Sequence, residues 1–434
     1  MATSNETTAP RAAPASLYAW FVVVVLALAN CVSYIDRLIL GLLVKDIKLE
    51  LGLTDTMFGL LAGATFAIFY CTMGLVIARW ADRYSRKWIV TAGITLWCLM
   101  TTLAGTAKNQ TQLFLYRIGV GAGEATLSPS AYSLLANYFP PQRLSLAIGV
   151  FSAGVTAGAG LAFLLGGALI GWVYSHGPIQ LPLFGIQSGW RAVMILVGLL
   201  GLPVAALMLL VREPPRSQGF KPAPSRDLIA HFRTHWRKYI FVFVGYGTTS
   251  VTAFAVMTWT PALYSRRYGE TVPAGAALLG TVALLGGLAG AFSGGWLADR
   301  WHAQGDPRAK LRVLMLCGFG LLLPSVIAPF MPTAIGHASV IFFTFFFGTA
   351  ATGPAGAYIQ TITPDNMRAQ FGAAHQLSLT LAGATLGPFL VGFFNDFLFK
   401  SEQALHLSMA LVSAIANPIA AWFLWRAFRN SDGR

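Results

Sequence analysis

Residues 78–87 read Ala78-Arg-Trp-Ala-Asp82-Arg83-Tyr-Ser-Arg86-Lys87 and separate two long apolar runs. Residues 295–300 read Gly295-Trp-Leu-Ala-Asp299-Arg300 and close another such run. Asp82 and Asp299 stand 217 positions apart, half of the 434-residue chain. A second echo has a similar offset, because Pro129 to Arg143 and Pro354 to Arg368 both span fourteen positions. Two matches of this kind divide the chain into two copies of one plan.

Working outward from these loops, the apolar runs can be counted against the roughly 20 residues that a helix needs to cross a bilayer core. They fall near 17–43, 55–79, 88–106, 112–138, 144–171 and 190–211, then near 238–263, 274–298, 311–331, 338–360, 370–398 and 405–427. Composition agrees, with 56% hydrophobic and 11% charged residues against about 25% charged in soluble domains. The expected fold class is an all-α polytopic membrane protein with twelve transmembrane helices in two pseudo-symmetric six-helix bundles. Residues 17–211 and 238–427 form the bundles, and the Pro-rich stretch 212–237 links them on the cytoplasmic side. Residues 1–16 form a disordered cytoplasmic N-terminus and 428–434 a cytoplasmic tail. No cleavable signal peptide is expected, because the first apolar run is long enough to span and continues to Lys45.

The net charge of +14 invites a nucleic-acid reading, and its distribution rejects it. Of the 30 Lys and Arg, 21 fall at the termini and on the loops following helices 2, 4, 6, 8 and 10. Seven fall on the other side, and Arg37 and Arg117 lie inside helices. That asymmetry places both termini in the cytoplasm of a cell membrane, inner or plasma. Cys31, Cys71, Cys98 and Cys317 all lie in expected spans and read as packing residues, so the redox compartment stays unread. The seven His and four Cys show no metal-ligand spacing, and no phosphate-binding Gly-x-x-x-x-Gly-Lys-Ser/Thr loop occurs. An ATP-driven pump, a metal site, a cofactor and an enzyme are therefore not expected.

An ionised side chain in a bilayer costs about 2.5–3.5 kcal/mol on insertion scales, so such residues default to function. Four stand out: Asp36, Arg37, Arg117 and Glu124. Arg117 and Glu124 are seven apart and share one helical face, about 10 Å from each other. Asp36 and Arg37 are adjacent and point about 100° apart, so both cannot face one cavity squarely. A structural ion-pair network, Asp36–Arg117 or Arg37–Glu124, uses the same residues. A carboxylate whose arginine partner can be replaced by a proton or a substrate is also a switch. Arginine stays charged, so it cannot carry the proton, but it can hold a carboxylate or phosphate bidentately. The second half carries His375 and Asp396 in its spans and a Phe run from Phe342 to Phe347. One charged wall facing one aromatic wall suits an amphipathic anion. Glycines in helices 4 and 5 provide surfaces for close helix packing, and Pro129, Pro261, Pro354 and Pro388 are candidate kinks.

The loop at 78–87 resembles the Gly-x-Leu-x-Asp-Arg-x-Gly-Arg-Lys signature of the major facilitator superfamily, with Ala78, Trp80 and Ser85 departing from it. The copy at Gly295 keeps Leu297, Asp299 and Arg300. The resemblance covers the whole chain and implies a cytoplasmic latch formed by Asp82, Arg83, Arg86, Lys87, Asp299 and Arg300. Within that superfamily the chain is similar to the Spinster-like branch. Tyr34-Ile-Asp36-Arg37, the Arg117 to Pro129 stretch with Glu124, Phe139-Pro-Pro-Gln-Arg143, Gly189-Trp190-Arg191 and Arg212-Glu-Pro-Pro carry that likeness. Organic-anion symporters share the Asp-Arg and Glu-Ala-Pro elements. The resemblance implies proton coupling at Asp36 and Glu124 and anionic head-group binding at Arg37 and Arg117. It implies a monomeric alternating-access carrier of a lysophospholipid or sphingoid phosphate, with a small sugar acid as the alternative substrate.

Overall fold

A computed structural model describes residues 16–187, 189–214 and 224–431, apart from the side chains of Asp82, Pro141, Gln142, Ser145, Ser225, Asp365 and Ala369. The expected disordered start, the middle of the linker and the last three residues of the tail lie outside the described residues. Helices dominate what is described. In the first half α1 is Leu17–Leu42, α2 is Asp55–Ala81, α3 is Arg86–Ala104 and α4 comes in two pieces, Gln110–Glu124 and Leu127–Tyr138. Next, α5 is Pro141–His176 and α6 is Gly189–Leu209. In the second half α7 is Ser225–Tyr268, α8 is Val272–Ala303, α9 is Ala309–Phe330 and α10 is Ala334–Ile362. Finally, α11 is Arg368–Phe393, extended by the π turn Phe394–Phe399, and α12 is Leu405–Arg429. A two-turn helix, Val44–Leu51, and a small hairpin pairing Ile179–Leu181 with Gly185–Gln187 sit at one end of the molecule.

Eleven of these helices are long and apolar enough to cross a membrane. The twelfth, α4, misses that criterion because it is broken into pieces of 15 and 12 residues. Proline explains the break. Pro129 has no N–H to donate, and its ring crowds the carbonyl four residues earlier, that of Ala125. The helix interrupts at Ala125 and Thr126. In α10, Pro354 acts in the same way on Ala350, and the interruption falls at Ala351. The two breaks are about 225 positions apart, so the repeat seen in the sequence reappears as a repeated defect in the backbone. Pro261 and Pro388, by contrast, lie inside helices that continue through them.

Two other expectations need correction. Helix α7 starts at Ser225, well before the expected 238, and bends at His235, where the backbone leaves helical geometry. Leu228 and Phe232 lie one turn apart on that early segment and pack against the core of the second bundle, which is why the polar stretch folds onto it. The Phe run of α10 does not form one wall. Phe345 is buried in the core, Phe343 is half exposed, and Phe347 packs on Gly320 of α9.

The halves meet at the end that carries Asp55. A methyl on Gly41 of α1 would lie 2.9 Å from the Thr258 carbonyl of α7, and Gly59 and Gly63 of α2 lie against the Pro388 and Ala384 carbonyls of α11. Gly160 of α5 abuts Leu284 of α8 and Gly171 abuts Pro273. Nearer the end that carries Arg86, Gly74, Gly149 and Gly295 face open space.

Candidate substrate and coupling site

Glycine sets the site's geometry first. A Cβ at Gly121 would fall 2.7 Å from the Phe66 carbonyl, and one at Gly123 would fall 2.9 Å from both Gly93 O and Trp97 N. Small residues here let α4 lie directly on α2 and α3. On the other side Gly154 and Gly158 of α5 admit α1 at Ala27 and Cys31. These approaches bring Asp36 and Arg37 of α1 against Arg117 and Glu124 of α4 in the middle of the first bundle.

All four side chains are buried, between 1% and 8% exposed. Arg37 Nη2 donates to Glu124 Oε2 at 2.6 Å, and Ser33 Oγ donates to the same oxygen at 2.6 Å. Asp36 accepts a hydrogen bond from Thr101 Oγ1 of α3, and its other oxygen lies 3.6 Å from Arg117 Nη1. Arg117 Nη2 donates to the Arg37 carbonyl at 3.2 Å. The roughly 100° divergence of adjacent helical residues is thus used: Arg37 turns to Glu124, while Asp36 turns to α3 and Arg117. Both pairings named from the sequence are present together.

Aromatic rings complete the enclosure. The Arg37 guanidinium lies 4.3 Å from the Phe66 ring centre, 4.6 Å from Tyr34 and 5.4 Å from Tyr70. Arg117 lies 5.2 Å from the same Phe66 ring, which therefore serves both cations. Polar capacity remains unused. Asp36 Oδ1, Glu124 Oε1, Arg117 Nε and Nη1 and Arg37 Nε are buried without a hydrogen-bond partner among the described residues. A buried group left this way costs about 1–3 kcal/mol, so the cluster is incompletely satisfied as it stands. An incoming oxyanion on Arg117, or a proton on either carboxylate, would use that capacity.

The sequence-based latch residues separate. The Asp82 side chain lies outside the described residues, and Arg83, Asp299 and Arg300 are exposed, with Arg300 over the Trp296 ring. Arg86 is buried: Nε donates to Glu213 at 2.7 Å, Nη2 to the Pro214 carbonyl at 3.1 Å and Nη1 to Ser133 and Asn137 of α4. Lys87 N–H and Ser85 Oγ add two more bonds to Glu213, at 2.9 and 2.8 Å. These contacts bind α3, α4 and the chain after α6 within the first bundle. Glu213 gives no sign of this role in the sequence, where it stands in a polar, Pro-rich stretch. Thr101, Ser33 and Phe66 carried no signal, being ordinary residues in membrane helices. In the second half His375 stacks on Tyr246, with ring centres 5.6 Å apart, and Tyr246 OH meets Thr352 Oγ1 at the α10 break, 2.6 Å away.

The chain is 32% identical over 414 residues to an MFS-type efflux pump of Mycolicibacterium smegmatis, covering 94% of this chain and 92% of that one. It is 25% identical over 428 residues to Protein spinster of Drosophila melanogaster, covering 92% of this chain and 66% of the other. It is 24% identical over 412 residues to the hexuronate transporter of Bacillus subtilis, covering 90% and 93%. Among solved structures, a bacterial homologue of the human lysosomal transporter Spinster, inward-facing and occupied, superposes with a TM-score of 0.78 at 25% identity, covering 95% of this chain and 97% of that one. The profile of the Major Facilitator Superfamily matches residues 26–388. The protein is a membrane transporter with Spinster-like relatives, and the chain belongs to the Major Facilitator Superfamily.

Proposed function

We propose that the protein carries an amphipathic anionic lipid, such as a lysophospholipid or a sphingoid phosphate, by proton-coupled or proton-gated alternating access. The reading rests on one observation above all: two carboxylates and two arginines are buried in one bundle, with donors on Arg117 and acceptors on both acids left open. Arg117 and Arg37 take the substrate's anionic head. Asp36 and Glu124 exchange arginine for a proton as the head group arrives or leaves. The protein works as a monomer with both termini in the cytoplasm, so the Asp55 end faces outward and the latch residues face inward. The lipid is what the resemblance to the Spinster-like branch implies.

A second reading has its own support. The hexuronate transporter is matched over almost its full length, and two arginines can hold a sugar acid's carboxylate as readily as a phosphate. Reconstitution separates the two. Purified protein in proteoliposomes is offered a labelled lysophospholipid or glucuronate, with and without an imposed pH gradient, beside Arg117→Ala and Glu124→Gln. Under the lipid reading the lysolipid moves, and Arg117→Ala slows it at least about tenfold, as expected for losing a charge-assisted hydrogen bond. Glu124→Gln removes the response to the gradient. Movement of glucuronate alone sinks the lipid reading, and full activity in both variants makes the cluster structural.

A further inference from the structure

The four charges of the central site all belong to the first bundle, so they cannot tie the halves together. A second charged group does. Asp55, at the start of α2, is fully buried. Arg266 of α7 grips both of its oxygens, Nη1 to Oδ2 at 2.7 Å and Nη2 to Oδ1 at 2.8 Å. Asn395, next to α11, adds a donor at 2.7 Å, and Lys48 adds another from the short helix before α2. Beside them Asp396 accepts from both the N–H and the hydroxyl of Thr56 at 2.6 Å, and Lys48 also reaches Glu402 at 2.7 Å. Gly392 of α11 lies directly against the Asp55 carbonyl, so the contact is tight in backbone as well as in charge.

Sorting these charges by half exposes a second arrangement. The first half owns Lys48 and Asp55; the second owns Arg266, Asp396 and Glu402. Asp396 and Glu402 stand in the same cluster: Asn395, beside Asp396, donates to Asp55, and Lys48 bridges Asp55 to Glu402. We propose that this cluster is a partner-exchange latch for the Asp55 end. When that end opens, Arg266 leaves Asp55 for Asp396 and Glu402, and Lys48 stays with Asp55. Each half then departs with its own cation matched to its own carboxylates. Separation without exchange would keep Asp55 on Lys48 but leave the Arg266 guanidinium without a carboxylate, which is costlier than replacing one partner by another. Asp396 and Glu402 thus have two roles that oppose each other: Thr56 and Lys48 hold them in the closed arrangement, and Arg266 claims them in the open one. The latch depends on alternating access but on neither substrate.

Double electron–electron resonance tests it without any substrate, so failure here is separate from failure of the lipid or the sugar-acid reading. Spin labels are placed on cysteines substituted at Leu49 and Thr271, exposed positions on opposite halves at this end, after Cys31, Cys71, Cys98 and Cys317 have been replaced. Asp55→Asn and Arg266→Gln are expected to move population toward the longer distance. Asp396→Asn with Glu402→Gln is expected to do the reverse and enrich the shorter distance, because the open arrangement loses its anions. An unchanged distribution in Arg266→Gln overturns the latch. A longer distance in the Asp396/Glu402 pair overturns the exchange, since those acids would then only hold the end shut. The acid pair is partly to largely exposed, so it decides the question even where Asp55→Asn fails to fold.

Discussion

Phe66 has no charge and no hydrogen bond to offer, yet two guanidiniums depend on its ring. Phe66→Ala should cost about 3–5 kcal/mol through cavity formation, and Phe66→Leu should recover most of the volume but none of the ring's attraction for the cations. Thermal unfolding in detergent checks the order, wild type above Leu above Ala. Glu213 behaves differently because it lies outside the membrane spans. Burial works to raise its carboxyl, but bonds from the Lys87 N–H, Arg86 and Ser85 outweigh it and hold the carboxyl below the ordinary carboxylate range. A depressed carboxyl stabilises the fold at neutral pH, and that contribution is lost as pH falls through the folded-state value. Glu213→Gln should therefore lower the melting temperature at pH 7 by about 2–4 °C, with the gap to wild type closing as the pH falls below the ordinary carboxylate range. At this scale the sequence exposed the residues that a bilayer makes expensive, namely Asp36, Arg37, Arg117 and Glu124. Their neutral partners stayed hidden. A threonine, a serine or a phenylalanine costs a membrane helix little, so nothing distinguishes Thr101 or Phe66 from its neighbours until the helices are packed.

Helix α4 shows what an element contributes. Its glycines set how closely it lies on α2 and α3, and its break follows Glu124 directly. A larger side chain at Gly121 meets the Phe66 carbonyl, which cannot swing away as a side chain could. Gly121→Val is expected to destabilise by about 1–3 kcal/mol and to abolish transport, whereas Gly74→Val, which meets nothing within 4 Å, should leave both unchanged. Paired melting and uptake measurements on the two variants test that contrast. Twelve apolar runs were legible because hydrocarbon thickness sets their length. The break in α4 was visible only as Pro129, and four prolines offered the same signal although two of them lie in uninterrupted helices. The early start of α7 was not legible, because a segment that packs on the core through only two apolar residues, Leu228 and Phe232, and a histidine, His231, reads as polar linker. The aromatic wall failed for a related reason: a run of consecutive residues must point all round a helix, so Phe342–Phe347 cannot face one way.

The two halves touch along α5 and α8 and along α2 and α11, and the proposed alternating access would slide or part these seams. Cysteines replacing Gly160 and Leu284 would stand close enough for a disulfide after a small adjustment. Oxidation should then freeze uptake, and a reductant should restore it; uptake that survives complete cross-linking would mean the α5–α8 seam does not move. The repeat behind this architecture was readable from Asp82 and Asp299 and from Pro129 and Pro354. The charged seam at Asp55 was not, because its members are scattered from Lys48 to Glu402 and only folding gathers them. The two carboxylates and two guanidiniums of the central site carry formal charges that sum to nothing, so under the proposed alternating access an empty site would cross the membrane's electric field without doing electrical work. Moving one uncompensated charge through it is worth about 2.3 kcal/mol per 100 mV. A univalent anion accompanied by one proton would leave the cycle silent to voltage; the same anion alone would make it a current generator. Solid-supported membrane recordings would therefore count protons per anion directly, from the sign and size of the current.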